Sequence, residues 1–338
     1  MKKIFLFAAA AMVSLSSCVQ TTEVYTGKLD EMGFKSAVTR GIIQEQKDFT
    51  YPIAVSAILD DTNDSADNYK VYFDGAEFVY DAGTELWKGN PTRYWPSKGE
   101  MDFLAFCPAP KSAILTTNCH AMTGKIENIT VSGIDNNILN QHDVLYSDLL
   151  SVTAPQPAAQ ALQFHHALAQ ININFKKTDS AANVVLNSVL LEGAYFGGDL
   201  VITPNAGAVS TAAWINLDNA KNRFFNKSVE GVTGVEDGAL DTVISSSEAY
   251  SPLPLLVIPM DHQAKMRIIY TVDGHQNTTE VDLMVDSVTG TPYTPAPTWE
   301  MGYKYTYNFT INVNEIQFKC NVDPWEDATY NPGGSVTI

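Results

Sequence analysis

Between Tyr303 and Val322 the apolar side chains fall on every second residue, a spacing that a helix cannot bury. Tyr303, Tyr305, Tyr307, Phe309, Ile311 and Val313 alternate with Lys304, Thr306, Asn308, Thr310 and Asn312. Successive side chains of a strand point to opposite faces, so this run predicts a strand with one face in a core and the other in water. After Asn314-Glu315 the phase inverts, and Ile316, Phe318, Cys320 and Val322 carry the apolar face. An inversion across two polar residues marks a tight turn or a bulge between antiparallel strands.

The same pattern recurs upstream. Ile171, Ile173 and Phe175 alternate with Asn172 and Asn174. Asp74-Gly75 lies between Tyr69–Phe73 and Ala76–Tyr80, and Asp273-Gly274 lies between Ile268–Val272 and a return run through Val281 and Leu283. Asp-Gly suits a two-residue turn in which both residues need positive φ, so each stretch predicts a β-hairpin. Helical periodicity is scarce. One stretch that admits a short helical turn is Ala158 to Ala169, after Pro155 and Pro157. Short strands separated by Gly, Pro, Asn and Asp predict an all-β protein built from β-sandwiches. A chain of 338 residues that is 45% hydrophobic can fill two cores of ordinary size. The Pro155-Gln156-Pro157-Ala158-Ala159 stretch is the candidate linker, which divides the chain into sandwiches at 41–160 and 161–338.

The first residues read differently. Met1-Lys2-Lys3 is followed by an apolar run from Ile4 to Leu15, then Leu15-Ser16-Ser17-Cys18. A basic start, a short apolar stretch and a terminal cysteine match a lipoprotein signal peptide. Residues 1–17 are expected to be removed and Cys18 to be lipidated, because the run is too short to span a bilayer. The formal net charge of −17 repels phosphate backbones, which argues against nucleic acid as a partner. Cys107, Cys119 and Cys320 are an odd set and cannot form a complete disulfide framework. Cys107 and Cys119 have the spacing to pair across a loop, but buried thiols are the simpler expectation.

Residues able to carry chemistry do not assemble into a pattern. His165 and His166 are adjacent, and adjacent residues of a strand face opposite ways, so they suit one metal ion poorly. The acidic stretch from Asp60 to Asp67 lacks the glycine and the bidentate glutamate of a calcium loop. There is no Gly-x-Ser-x-Gly elbow, phosphate-binding glycine loop or Cys-x-x-Cys. The chain is therefore read as a non-enzyme with no cofactor and no metal. Trp95, Trp299 and Trp325 have two readings, as plugs at the ends of the cores or as a surface on which sugars stack.

Several segments together resemble one family. Thr39-Arg40-Gly41, Arg93-Tyr94-Trp95-Pro96, Met101 to Pro108 and Asp143-Val144-Leu145-Tyr146 carry the likeness in the first half. Leu162 to Ile171, Pro254 to Met260, Trp299 to Tyr305 and Asp323-Pro324-Trp325 carry it in the second. In this order they are similar to the fimbrillin (Mfa-like) family of type V pilus subunits, although Met260 stands where relatives usually carry glutamine. The resemblance implies two tandem transthyretin-like β-sandwiches, and a stalk, tip or accessory subunit of a fimbria that supports adhesion. It also implies a route. The precursor travels to the outer membrane on the lipid of Cys18, and a prosegment, 18–40, is cut away between Arg40 and Gly41. A strand from another subunit then fills the groove left behind. Pro332-Gly333-Gly334 followed by Ser335-Val336-Thr337-Ile338 suits a short inserting strand, and equally suits pairing within its own domain. The alternative is a monomeric outer-surface lipoprotein that binds glycan or host protein.

Overall fold

The computed structural model describes residues 30–36, 50–60, 69–109, 124–130, 141, 143–205, 209–225, 239–259, 264–283, 299–312 and 316–324. Every regular element among them is a strand. In chain order these are β1 Gly33–Ser36, β2 Ile53–Asp60, β3 Tyr69–Asp81, β4 Leu86–Gly89, β5 Glu100–Cys107, β6 Gly124–Thr130 and β7 Leu145–Ser147. Then come β8 Leu150–Thr153, β9 Gln160–Leu162, β10 Phe164–His166, β11 Ala169–Lys177, β12 Val184–Ala194, β13 Gly197–Thr203 and β14 Thr211–Ile215. The last are β15 Lys221–Phe224, β16 Thr242–Val243, β17 Leu255–Val257, β18 Lys265–Val272, β19 His275–Asp282, β20 Tyr303–Ile311 and β21 Ile316–Pro324. The all-β expectation holds.

A nine-stranded sheet runs β10-β7-β5-β2-β3-β4-β1-β9, with β8 beside β5. Its two end strands, β9 and β10, are separated in the chain by Gln163 alone. One stretch of backbone therefore borders both ends, and the sheet curls around a first core of Met32, Phe34, Val55, Phe78, Trp95 and Phe103. A four-stranded sheet, β17-β11-β20-β21, faces a five-stranded one, β15-β12-β18-β19 with β16 beside β12. Between them lies the second core, with Ile173, Phe175, Leu186, Ile268, Tyr307 and Phe309.

A three-stranded sheet, β14-β13-β6, joins the two halves of the chain, because β6 pairs antiparallel with β13. Leu200 and Ile202 of β13 meet Ile58, Leu104 and Phe106 on the outer face of the large sheet. That second cover explains why β2 and β5 are nearly continuous apolar runs. Ile53, Val55 and Ala57 face the first core, while Ala54 and Ile58 face this third cluster. A strand buried on both faces loses the alternation that a half-wet strand keeps.

The C-terminal alternation forms the predicted hairpin, with β20 and β21 antiparallel from Tyr303↔Pro324 to Ile311↔Ile316. Asp273-Gly274 forms the other, with φ of 47° and 86° linking β18 to β19. Asp74-Gly75 does not turn the chain. β3 runs straight through it, and the register against β2 slips between Val55↔Ala76 and Ala57↔Phe73. Gly75 takes a positive φ of 63° as the extra residue of a β-bulge. The Ser56 hydroxyl fixes the bulge by donating to Asp74 Oδ1 at 2.7 Å and accepting from the Gly75 N–H at 2.9 Å. Nor does Ala158–Ala169 make a helical turn. It supplies β9 and β10, because β1 and β7 offer those residues ladder partners.

Candidate functional site

β1 is four residues long and holds the most consequential position in the first sandwich. It lies between β4, to which it is antiparallel (Gly33↔Lys88, Phe34↔Trp87), and β9, to which it is parallel (Phe34↔Gln160, Lys35↔Ala161, Ser36↔Leu162). Just before it, the Met32 N–H donates to the Arg93 carbonyl at 2.8 Å and the Trp95 N–H to that of Asp30 at 3.0 Å. Glu31 bridges Tyr94 between them. A strand this short has too few residues to hold itself, so its conformation is set by these neighbours.

Its side chains show what the seat selects. Met32 and Phe34 are fully buried. The Phe34 ring meets Phe78 edge-on, with centroids 5.1 Å apart and planes at 69°, and meets Phe103 at 5.3 Å and 70°. Gly33 lies on the other face of the strand. A Cβ there would come 3.5 Å from Leu86 Cδ1 and 3.8 Å from the Ala159 Cβ, ordinary contact distances that a methyl group fits. Burying Met32 and Phe34 contributes about 1.5–3 kcal/mol each. Without β1 the edges of β4 and β9 would expose unpaired backbone groups beside a trough lined by Phe78 and Phe103.

The adjacent histidines both serve the frame. On β10, His165 Nε2 lies 2.8 Å from Asp148 Oδ2, and His166 Nδ1 lies 2.5 Å from Asp143 Oδ2. The other Asp148 oxygen accepts from the Ser210 N–H at 2.7 Å, fastening the approach to β14 onto the end of β7. Among the described residues no group of three or more His, Cys, Asp or Glu is placed to hold a metal. Trp95 and Trp299 are 2% exposed, which fits their reading as plugs and removes them as a sugar platform. Cys107 is a free buried thiol, and burial raises its pKa well above the ordinary range.

Cys18, Arg40, Gly41 and Ser335 to Ile338 lie outside the described residues, as do Cys119, Trp325 and the acidic stretch 61–67. What the sequence reading missed is β1 itself, which falls within the stretch assigned to the prosegment. The available signal was Met32-Gly33-Phe34, two large apolar residues one apart in an otherwise polar stretch.

A sandwich whose sheet is closed by a short strand from upstream of its main body defines a strand-complemented β-sandwich protein. The chain belongs to the fimbrillin-like family, whose profile matches residues 41–325. Its role is that of a structural subunit of a cell-surface fimbria. Among solved structures, a candidate cell adhesion protein from Bacteroides uniformis is similar at 15% identity and a TM-score of 0.51, covering 88% of this chain and 99% of that one. A fimbrial protein from Bacteroides vulgatus is similar at 16% identity and a TM-score of 0.50, again covering 88% of this chain and 99% of that one. At these identities the likeness is one of fold. No curated protein sequence matches the chain.

Proposed function

We propose that this subunit is exported as a lipoprotein on Cys18, reaches the outer membrane on that lipid, and polymerises after cleavage between Arg40 and Gly41. The cut separates β1 from the rest of the chain. A strand from another fimbrial subunit then enters between β4 and β9 and restores the backbone pairing and the apolar contacts together. The observation that carries this reading is the position of β1: it completes the first sandwich, yet it precedes Arg40. That the family match begins at residue 41 supports the same division. The tail around Ser335, Val336, Thr337 and Ile338 is the candidate donor to the next subunit, and the assembled fimbria supports adhesion to a host or bacterial surface.

The reading includes no catalysis and no cofactor. N-terminal sequencing of protein sheared from the cell surface tests it. Chains beginning at Gly41 within high-mass ladders are expected. A monomer beginning at lipidated Cys18, with no shorter form, would overturn it in favour of a resident surface lipoprotein.

A further inference from the structure

The seat of β1 is a mould, and the mould can be compared with this chain's own tail. We propose that the strand which takes β1's place belongs to a different subunit rather than to a second copy of this chain. The seat fits an extended segment reading large aliphatic, small, aromatic. This inference rests on the strand-replacement reading above and specifies the partner.

Three features of the mould set the pattern. The Met32 site is fully buried and takes a long flexible side chain. The Gly33 site faces Leu86 and Ala159, where a Cβ is already in ordinary van der Waals contact, so a small side chain fits without adjustment. The Phe34 site is bounded edge-on by Phe78 and Phe103, a geometry that rewards a ring beyond its buried area. Polarity is set as well, because the entering strand must run parallel to β9 and antiparallel to β4.

The sequence after Pro324 does not carry this pattern. If Val336 is seated at the Met32 site and Ile338 at the Phe34 site, Thr337 falls at the Gly33 site. A β-branched residue then meets Leu86 and Ala159, and the aromatic pocket receives an aliphatic chain. Shifted by two residues, Val336 enters the aromatic pocket and Gly334 leaves the Met32 site empty. The other alternating run, Ala328-Thr329-Tyr330, again places a threonine at the Gly33 site and puts only a methyl group in the Met32 site. Each register leaves the Met32 site underfilled, and those that seat Val336 or Ile338 at the Phe34 site lose the ring packing as well; such defects add to a large difference in affinity.

The test uses the full exported chain with Ala37–Arg40 replaced by the recognition sequence of a highly specific protease. After cleavage, isotope-labelled peptides are offered in equal excess and their uptake is read by native mass spectrometry. The peptides are residues 30–36, residues 331–338, and residues 331–338 carrying Thr337→Gly and Ile338→Phe. The labelled 30–36 peptide is expected to exchange in. The natural tail peptide should be taken up at least about tenfold less, and the doubly substituted tail should recover most of the difference. Equal uptake of the natural tail overturns the proposal and makes the subunit self-polymerising. A substituted tail no better than the natural one, with 30–36 exchanging, overturns the stated pattern. Failure of the 30–36 peptide itself to exchange overturns the strand-replacement reading and this inference with it.

Discussion

The ring of Phe34 meets the ring of Phe103 edge-on, with centroids 5.3 Å apart and planes inclined at 70°. One partner belongs to an eight-residue strand in the body of the first sandwich, the other to a four-residue strand upstream of Arg40. The centre of the first core is thus assembled from a permanent wall and a piece that the proposed maturation would discard. A fully buried phenylalanine is an extravagant choice for a segment with no further use, unless the precursor must stay closed until it is cut.

Phe34→Ala should destabilise the uncleaved first sandwich by about 3–5 kcal/mol, the usual cost of emptying a buried phenylalanine site. Phe34→Leu should cost less, since most of the volume is kept and the edge-on contacts are lost. Urea denaturation followed by tryptophan fluorescence measures both, because Trp87 and Trp95 lie in this core. A change below about 1 kcal/mol for the alanine variant would mean that β1 contributes little to closure.

Asp81 ends β3 and organises the turn into β4, the strand on which β1 rests. Its carboxylate accepts from Lys88 Nζ at 2.7 Å, the Gly83 N–H at 2.9 Å and the Thr84 hydroxyl at 3.0 Å. These bonds, that of Lys88 foremost, hold its pKa down to about 2. A carboxyl depressed in the folded state contributes stability above its unfolded pKa and loses it as pH falls through the folded one. The turn should therefore keep its order to lower pH than an ordinary aspartate would allow. An NMR titration should find the Asp81 carboxyl midpoint near 2, moving up toward the common range in Lys88→Met. A wild-type midpoint near 4 would refute the arrangement.

How much of this could be read from the sequence depends on where each instruction is written. The β20–β21 hairpin is legible because its alternation and its turn lie together in the chain. Asp74-Gly75 misleads for a physical reason: a two-residue turn and a bulge both need positive φ, and Ser56, eighteen residues away, decides between them. Residues 160–166 are poor strand formers by themselves and become strands because β1 and β7 pair with them. The seat was hidden for the same reason, since Met32 and Phe34 are too few to show a period. Adjacency on a strand says that His165 and His166 part company, but the aspartates each one meets, Asp148 and Asp143, lie elsewhere in the chain and are not announced by the pair itself.

Gly274 holds a positive φ of 86° and stands in open space, with nothing within 4 Å of where a Cβ would be. Gly274→Ala should therefore cost about 1–2 kcal/mol, all of it backbone strain. Thermal unfolding of the variant checks this. A neutral result would show that the turn relaxes into another type without loss.

The carboxamide of Gln141 substitutes for a neighbouring strand along β17, an edge of the four-stranded sheet. Its Oε1 accepts from the Leu256 N–H at 2.8 Å and its Nε2 donates to the Pro254 carbonyl at 2.6 Å, with the side chain buried. Gln141→Leu keeps the bulk but strands a buried donor and acceptor, at about 1–3 kcal/mol for each group. Gln141→Glu separates the two bonds. Its ionised form can still accept from Leu256 but faces the Pro254 carbonyl with no proton to give, while its neutral form can do both. The introduced carboxyl should thus have its pKa raised by folding. Its stabilising contribution is present in full below the unfolded value and lost as pH rises through the folded one. Urea midpoints for Gln141→Glu should approach the wild type toward pH 4 and fall away toward pH 7, while Gln141→Leu stays low at both. Parallel pH profiles for the two variants would show that Gln141 only fills space beside β17, and that its hydrogen bonds do not hold the two halves of the chain together.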